Sequence, residues 1–468
     1  MPRAASEYCP RNTIADMSPL SSICSTGQPA MPETLRPPLP DWPNMRHLRL
    51  LEIAVREGSL TRAAQEVNIS QPAASQAIAK LTRIFRAPLL ERVGNSAVAT
   101  EEGMIVTQRA RRALMHLQDP SLCPRGRARQ VSADLLERYA SITQLRVMAQ
   151  FALTGSFAAT AQSVGQTEAS VRRATKEVER IIGQPVLEGG QRNRVLSAAG
   201  TIVATRASLA LREIDLAHAE LRERRGVFDS RLVIGALPLA RTQIVPRAIV
   251  RLLKKYPAAT LEVLDGSYEF LLQRLRLGAC DVIVGALRED ATEQDLSESR
   301  LFTDSLRVVA RAGHPLAGQK VTGEQLAEFP WILPRRDAPA RRAFELLAQR
   351  HGLASGQLGH VETGSLVVLR GVLLASDALA LMSPNQISYE IEQGLIVPLN
   401  IALQAAEREI GLTELQGNMP GRLHSDFLEI VAQEACNLSN PSLHSETQCT
   451  ENLSARSFSN FTNAIQNL

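Results

Sequence analysis

From Met45 the apolar positions recur in a helical rhythm, Leu48, Leu51 and Ile53–Val55, that stops at Glu57-Gly58, a helix end with glycine just past it. Ser59 is placed to cap a second short helix, Leu60–Val67, whose Ala63 and Ala64 are small enough for close helix contact. Asn68-Ile69 makes a tight turn. Ser70 then caps a third helix, Gln71–Phe85, with Pro72 in its first turn, where a missing N–H costs little. Helices joined by so few residues predict a helix-turn-helix. Two extended runs, Leu89–Arg92 and Ala97–Ala99, flank Val93-Gly94-Asn95-Ser96 and predict a β-hairpin wing. Thr100 caps a further helix, with Glu101 and Glu102 in the turn that favours negative charge.

The same grammar returns 97 residues later. Met45–Ala110 superposes on Ile142–Ala207 without a gap, and 19 of the 66 positions are identical, too many in one register for chance. Leu48-Arg49, Gly58-Ser59, Ala64-Gln65, Pro88, Leu90-Glu91 and Gly103 all find their counterparts. The pattern therefore predicts two copies of one domain, residues 45–117 and 142–199. Residues 118–141 join them, rich in Pro, Gly and Arg at 118–131 and read as flexible. An unbroken helical stretch from Gly200 to about Arg225 follows, its apolar repeat carried by Ile202, Leu209, Leu211, Ile214 and Leu221.

Beyond residue 229 strands and helices alternate, which predicts parallel-sheet units. Strands are expected at Arg231–Leu237, Thr260–Leu264, Asp281–Gly285, Leu306–Ala310, Trp331–Leu333 and Ala378–Met382. Helices are expected at Thr242–Tyr256, Tyr268–Leu277, Gly323–Ala327, Ala338–His351 and Ser365–Leu374. Ile396–Pro398 is expected to return the chain to the first half, and the α/β unit to end at residue 430. Residues 1–44 hold nine prolines and no apolar period, so they are expected to be disordered, with Met45 a candidate start of the organised product. The Ser-, Asn- and Thr-rich tail, residues 431–468, is expected to be disordered too.

Charge sharpens this division. The chain carries net +4, but residues 45–130 alone hold 14 basic and 7 acidic residues, and residues 142–226 hold 12 and 8. The positive excess sits on the repeated half, as expected if that half meets a polyanion. Only 4% of the residues are aromatic, which disfavours stacking platforms for single strands. The longest apolar stretch, Val367–Met382, is broken by Arg370 and Asp377 and is too short to span a membrane. With no secretory signal pattern either, a cytoplasmic protein is expected. The six cysteines show no C-x-x-C pair or Cys–His cluster, so no metal site is expected. No P-loop, G-x-S-x-G, H-E-x-x-H or G-x-G-x-x-G occurs, so neither an enzyme nor a bound cofactor is expected.

The run GSLTRAAQEVNISQPAASQAIAKLT, followed by LLERVG and TEEG, resembles the winged helix-turn-helix of LysR-type transcriptional regulators. Ser70-Gln71-Pro72-Ala73 is its most specific part. The α/β half resembles the effector-binding domain of the same family, whose fold is shared with periplasmic binding proteins. The resemblance spans about residues 45–430. It implies a sequence-specific DNA-binding regulator: two tandem winged helix-turn-helix domains, mainly α, plus a periplasmic-binding-like α/β effector domain. It implies double-stranded DNA, a small-molecule effector and RNA polymerase as partners, and a homodimer or homotetramer paired through the helix of residues 200–228. The rival reading is a solute-binding or sequestering protein whose DNA-binding copies are degenerate.

The candidate DNA contacts in the first copy are Ser59, Arg62, Ser70, Gln71, Pro72, Ser75, Gln76, Lys80 and Arg92. Its wing turn, Gly94-Asn95-Ser96, lacks the basic residue usual in the family. The second copy replaces Gln71-Pro72 by Glu168-Ala169, and a carboxylate there is repelled by phosphate, although Glu can accept from cytosine. It offers Arg172, Arg173, Lys176, Arg192 and Arg194 instead. It is a second reading head, a decayed copy kept for packing and phosphate contact, or the partner in a division of labour in which the first copy reads bases and the second grips the backbone. In the α/β half, ligands are expected beyond the carboxyl ends of strands. The candidates there are Pro238, Leu239, Arg241, Thr242, Gly285, Arg335, Thr363 and Ser365. Thr242, Thr363 and Ser365 each also read as plain helix caps, and Arg241, Arg288 or Arg335 would suit a carboxylate or phosphate. Leu237–Arg247 is similar to family members linked to sugar uptake, so a sugar or an organic acid is the expected effector class.

Overall fold

The computed structural model describes residues 42–94, 96–118, 135–190, 194–288, 294–336, 338–353, 360–403 and 406–439. Residues 1–41, most of the 118–141 connection, the wing positions Asn95 and Arg192, and the tail from residue 440 lie outside the described residues.

The first copy folds as its caps dictate. Helix α1 (Met45–Glu57) ends where Gly58 turns left-handed at φ 61°, and Ser59 then caps α2 (Leu60–Glu66). Asn68, at φ 57°, makes the turn into α3 (Gln71–Phe85), which Ser70 caps. Leu50, Ile53, Ala54, Ala63, Ala64, Ala74 and Ala77 form the core of these three helices, the alanines letting the backbones approach. Strands β1 (Leu90–Val93) and β2 (Ser96–Ala99) pair antiparallel as a wing. Helix α4 (Glu101–His116) follows.

A short helix, α5 (Leu135–Tyr139), closes the connection, part of which the composition had marked as flexible. The succession then repeats: α6 (Ile142–Thr154), α7 (Phe157–Val164), α8 (Glu168–Ile182), hairpin β3 (Leu187–Glu188) with β4 (Val195–Leu196), and the long helix α9 (Ala198–Arg224). Each hairpin is joined to its following helix in the same way. Thr100 Oγ1 donates to Pro88 O, while Ser197 Oγ donates to Pro185 O at 2.7 Å. Glycine is required at the next turn in both copies: a Cβ at Gly103 would lie 1.9 Å from Leu89 O, and one at Gly200 1.9 Å from Val186 O. Neither backbone oxygen can yield without moving the hairpin. Gly103→Ala and Gly200→Ala should each lower stability by about 1–3 kcal/mol, read as a shift of the urea midpoint.

Helix α9 departs from expectation. Its apolar repeat, read as a seam between subunits, is covered within the chain by α4 and α6. Leu209 lies against Gly278 of the α/β half, and Ser208 and Arg212 bond to the Leu277 and Gly278 carbonyls.

The α/β half consists of two lobes. Strands β5 (Arg231–Ala236), β6 (Thr260–Leu264) and β7 (Val282–Ala286) run parallel, joined by α10 (Ile244–Lys255) and α11 (Tyr268–Arg276). Two longer strands that the sequence pattern did not reveal complete this sheet: β14 (Glu407–Leu415) lies antiparallel to both its neighbours, β7 on one side and β8 (Leu296–Ser305), the edge strand, on the other. In the second sheet β9 (Arg307–Arg311) lies antiparallel beside β12 (Leu379–Met382), and β10 (Trp331–Leu333) runs parallel to β12 and β11 (His360–Glu362). Helices α12 (Gly323–Leu326), α13 (Pro339–His351), α14 (Leu366–Ala375) and α15 (Ser388–Glu392) belong to this lobe. Strand β13 (Ile396–Pro398) pairs with β9, so the expected return to the first lobe is made by β14 instead. Helix α16 (Arg422–Ser439) buries Phe427, Val431 and Ala435 against α10 and the first sheet. The α/β unit therefore continues past residue 430, where the expected tail was to begin.

Candidate functional site

The surface of α3 is divided cleanly. Ala74, Ala77 and Leu81 are buried, whereas Gln71, Pro72, Ser75, Gln76 and Lys80 are exposed along the other side. Ser70 Oγ accepts from Ala73 N at 3.4 Å and Ser59 Oγ from Arg62 N at 3.3 Å, so both serines cap their helices. Arg62 and Arg92 are exposed nearby on α2 and β1. The wing is tied to the α1–α2 turn by Ala97 N donating to Gly58 O at 2.9 Å. Burial, and then the charges of Lys80 and Arg46, hold the His47 imidazole below its ordinary pKa. The chemistry of this face is amides and hydroxyls that can pair with base edges, framed by positive charge.

The corresponding face of α8 is charged. Glu168, Arg172, Arg173 and Lys176 are exposed, with Val171, Ala174, Thr175 and Val178 beneath them. Arg172, expected as a DNA contact, is engaged within the chain: it lies 4.0 Å above the Phe157 ring and 3.3 Å from Glu168 Oε2. Arg173, Lys176 and Arg194 of the wing remain exposed. A groove of about 390 Å³ between α8 and the wing is lined by Phe157, Arg172, Lys176, Leu187 and Arg194 among others.

The effector candidates fall into two groups. In the first lobe Leu237 N bonds to Val284 O at 3.0 Å, and the Leu237 side chain fills the space a Cβ at Gly285 would need, so the 237–239 turn and Gly285 share one rim. Leu239 is buried in the core. Arg241 is balanced by Asp265 at 3.3 Å. In the second lobe the Arg335 stem lies against Gly364, and Thr363 N bonds to Leu333 O at 3.1 Å. Ser365 Oγ caps α14 by accepting from Val368 N at 3.4 Å, whereas Thr363 Oγ1 accepts from Ser365 N at 3.0 Å and shapes the turn before the helix without capping it. Thr242 does not cap α10. Its hydroxyl bonds to Leu239 O and reaches Asn385 O of the other lobe at 3.3 Å. Gln243, Asn385 and Ser388 complete that crossing, with Gln243 Nε2 2.6 Å from Ser388 Oγ. The sequence reading missed these three, because only the fold brings residues 243 and 385–388 together. Buried Asp304 ties the strand connections between the lobes, bonded to Ser383 at 2.6 Å, Asn385 at 3.2 Å and Arg408 at 2.9 Å.

A third cluster was not anticipated. Arg109 of α4 is almost fully buried and grips both Glu213, at 2.8 Å, and Glu220 of α9. It also donates to Met419 O at 2.9 Å, while Arg112 reaches Glu213 at 2.7 Å and Gly417 O at 2.9 Å. Burial pushes the Glu213 carboxyl up, but the His116 hydrogen bond and the Arg109 and Arg112 charges outweigh it and hold the pKa at about 2. Beside this cluster, α4, α9 and the α/β half line an open cleft of about 430 Å³. The first copy and the long helix thus share one set of ion pairs, and the β14–α16 loop joins it through the Gly417 and Met419 carbonyls. One clue was available: Arg109 interrupts an otherwise small and apolar face, Val106, Ala110, Ala113.

Residues 45–104 match the bacterial regulatory helix-turn-helix of the lysR family, and residues 225–436 match the LysR substrate binding domain. The HTH-type transcriptional regulator GalR of Pseudomonas putida is 31% identical over 378 residues, 81% of this chain and 94% of that protein. PcaQ of Agrobacterium fabrum, another HTH-type transcriptional regulator, is 22% identical over 64% of this chain and 97% of its own. A full-length OxyR variant from Pseudomonas aeruginosa shares the fold at a TM-score of 0.50, with 18% identity, over 63% of this chain and 94% of that one. An apolar–polar pattern, an exposed α3 face and a two-lobed α/β half thus meet two family matches and a well-covered relative. The chain belongs to the LysR family: it is a DNA-binding transcription regulator with a substrate-binding domain for a small-molecule effector.

Proposed function

We propose that both copies are winged helix-turn-helix heads with divided labour, the first reading bases and the second gripping the DNA backbone. The observation that carries this is the contrast between equivalent helices. The exposed side of α3 offers Gln71, Ser75, Gln76 and Lys80, and that of α8 offers Glu168, Arg173 and Lys176. Gln71 at the start of α3 suits adenine N6 and N7. Gln71→Ala should cost about 1–3 kcal/mol of discrimination at one base pair, measured by anisotropy titration against single-base variants of the site. Unchanged preference would remove Gln71 from the reading set.

The effector is bound between the lobes, near Pro238, Arg241, Thr242 and Gly285 on one side and Arg335, Thr363 and Ser365 on the other. Hydroxyls and amides at the Thr242–Asn385 crossing, with arginines at the rim, suit a small polar molecule that carries a carboxylate or several hydroxyls. That class includes organic acids and sugars. Because Thr242 and Gln243 bond across the lobes, a ligand seated there changes the free energy of lobe closure. Assembly into a homodimer or homotetramer then uses other surfaces than α9. Val250 on α10 and Val367 on α14 are 55% and 77% exposed and offer apolar area for it. Work in the cytoplasm with RNA polymerase as partner follows from this reading.

A further inference from the structure

Helices α4 and α9 lie side by side in opposite directions. The first turn of α4 meets the last of α9, where Arg224 pairs with Glu101 and Glu102, and further along α4 Arg112 and His116 meet Glu213. Each helix begins at its own hairpin through the same hydroxyl bond and the same close-packed glycine, Gly103 in one and Gly200 in the other. Two like units mounted alike on antiparallel rods are related by a local two-fold axis across the rods, the symmetry with which a dimer meets duplex DNA. The pairing is fixed by more than apolar contact. Buried Arg109 holds two glutamates of α9, Phe85 stacks on His218 at 4.6 Å, and Arg225 donates to the Phe85 and Arg86 carbonyls. On α9, Val203, Ala204, Ala207, Ala210, Ile214, Ala217 and Leu221 are all buried within the chain, which leaves no apolar stripe there for a second subunit.

We propose that one chain carries a complete two-headed DNA clamp, in which α3 and α8 are related across the antiparallel α4–α9 pair and engage a site of two unlike halves. This rests on the reading of the second copy as a DNA-contacting head. One half is read at base edges by α3, and the other is held through phosphates by Arg173, Lys176 and Arg194. Such a site is not a palindrome, because the two heads are different sequences in a fixed relation.

The test uses the full chain and a short duplex, about two helical turns, selected by that chain from a random library. Native mass spectrometry should find as many duplexes as chains in whatever oligomer forms. Footprinting of Gln71→Ala with Lys80→Ala should lose protection at least tenfold in one half only. Arg173→Ala with Lys176→Ala should lose it in the other half only. Circular dichroism and an unchanged melting temperature establish that both double variants are folded. Two chains per duplex, with the α3 variant losing protection in both halves, would overturn the clamp while leaving the second copy a DNA head. Protection unaffected by the α8 variant in either half would overturn the reading of the second copy, and the clamp with it.

Discussion

Arg109→Met should lower the stability of the chain by about 3–5 kcal/mol, the cost of leaving a buried ion pair without one partner. The guanidinium is 1% exposed and meets buried Glu213, partly exposed Glu220 and the Met419 carbonyl. Methionine fills most of the volume, so the loss reports charge and hydrogen bonding more than packing. Adding Glu213→Gln to Arg109→Met should recover part of the loss, since the buried Glu213 carboxylate, then balanced by Arg112 without Arg109, is removed. The parent should also show the cluster in acid. Glu213 is held at about 2, below its ordinary 4.5, so its contribution is complete above pH 4.5 and is lost as pH falls towards 2. Urea titrations of the parent and Glu213→Gln between pH 2 and 7 should therefore converge at the acid end. Parallel curves across the whole range would sink this account of the cluster.

The second large effect is expected on DNA. Removing Arg173, Lys176 and Arg194 together should cut affinity on the order of a hundredfold at 0.15 M salt and flatten the salt dependence by about three units of slope, one per phosphate contact. Sequence preference should not change, because counterion release is blind to sequence. Arg172 is left out of this set because Phe157 and Glu168 already engage it. A changed preference in the triple variant would make α8 a base reader. An unchanged slope would make the second copy a packing unit.

Much of the local structure was legible in the chain. Ser59, Ser70, Thr100 and their counterparts announce helix starts because a hydroxyl there satisfies an N–H that the helix leaves free. Gly58 and Asn68 announce the turns because they accept a left-handed backbone. The parallel strands were visible as continuous apolar runs such as Val282–Ala286, buried on both faces. Strand β8 was not, because it lies at a sheet edge and most of its residues are polar. Strand β14 also escaped, since Glu407, Arg408, Glu409, Thr413 and Glu414 interrupt its apolar positions.

The sequence by itself determined the repeat, the two kinds of domain, the exposed polar side of α3 and the charge contrast between α3 and α8. Those are properties of nearest neighbours along the chain and of periodicity, which local sterics and burial translate directly into structure. Tertiary structure alone decided which helix α9 would pair with, what Arg109 would grip and which residues would face Thr242 across the lobes. An amphipathic helix specifies that its apolar side must be covered, but it does not specify by what, and a partner in the same chain satisfies that demand as well as one from another subunit. Here the gap-free repeat places a second long helix within reach, and Arg109 with Glu213 and Glu220 ties α4 to α9 within the same chain.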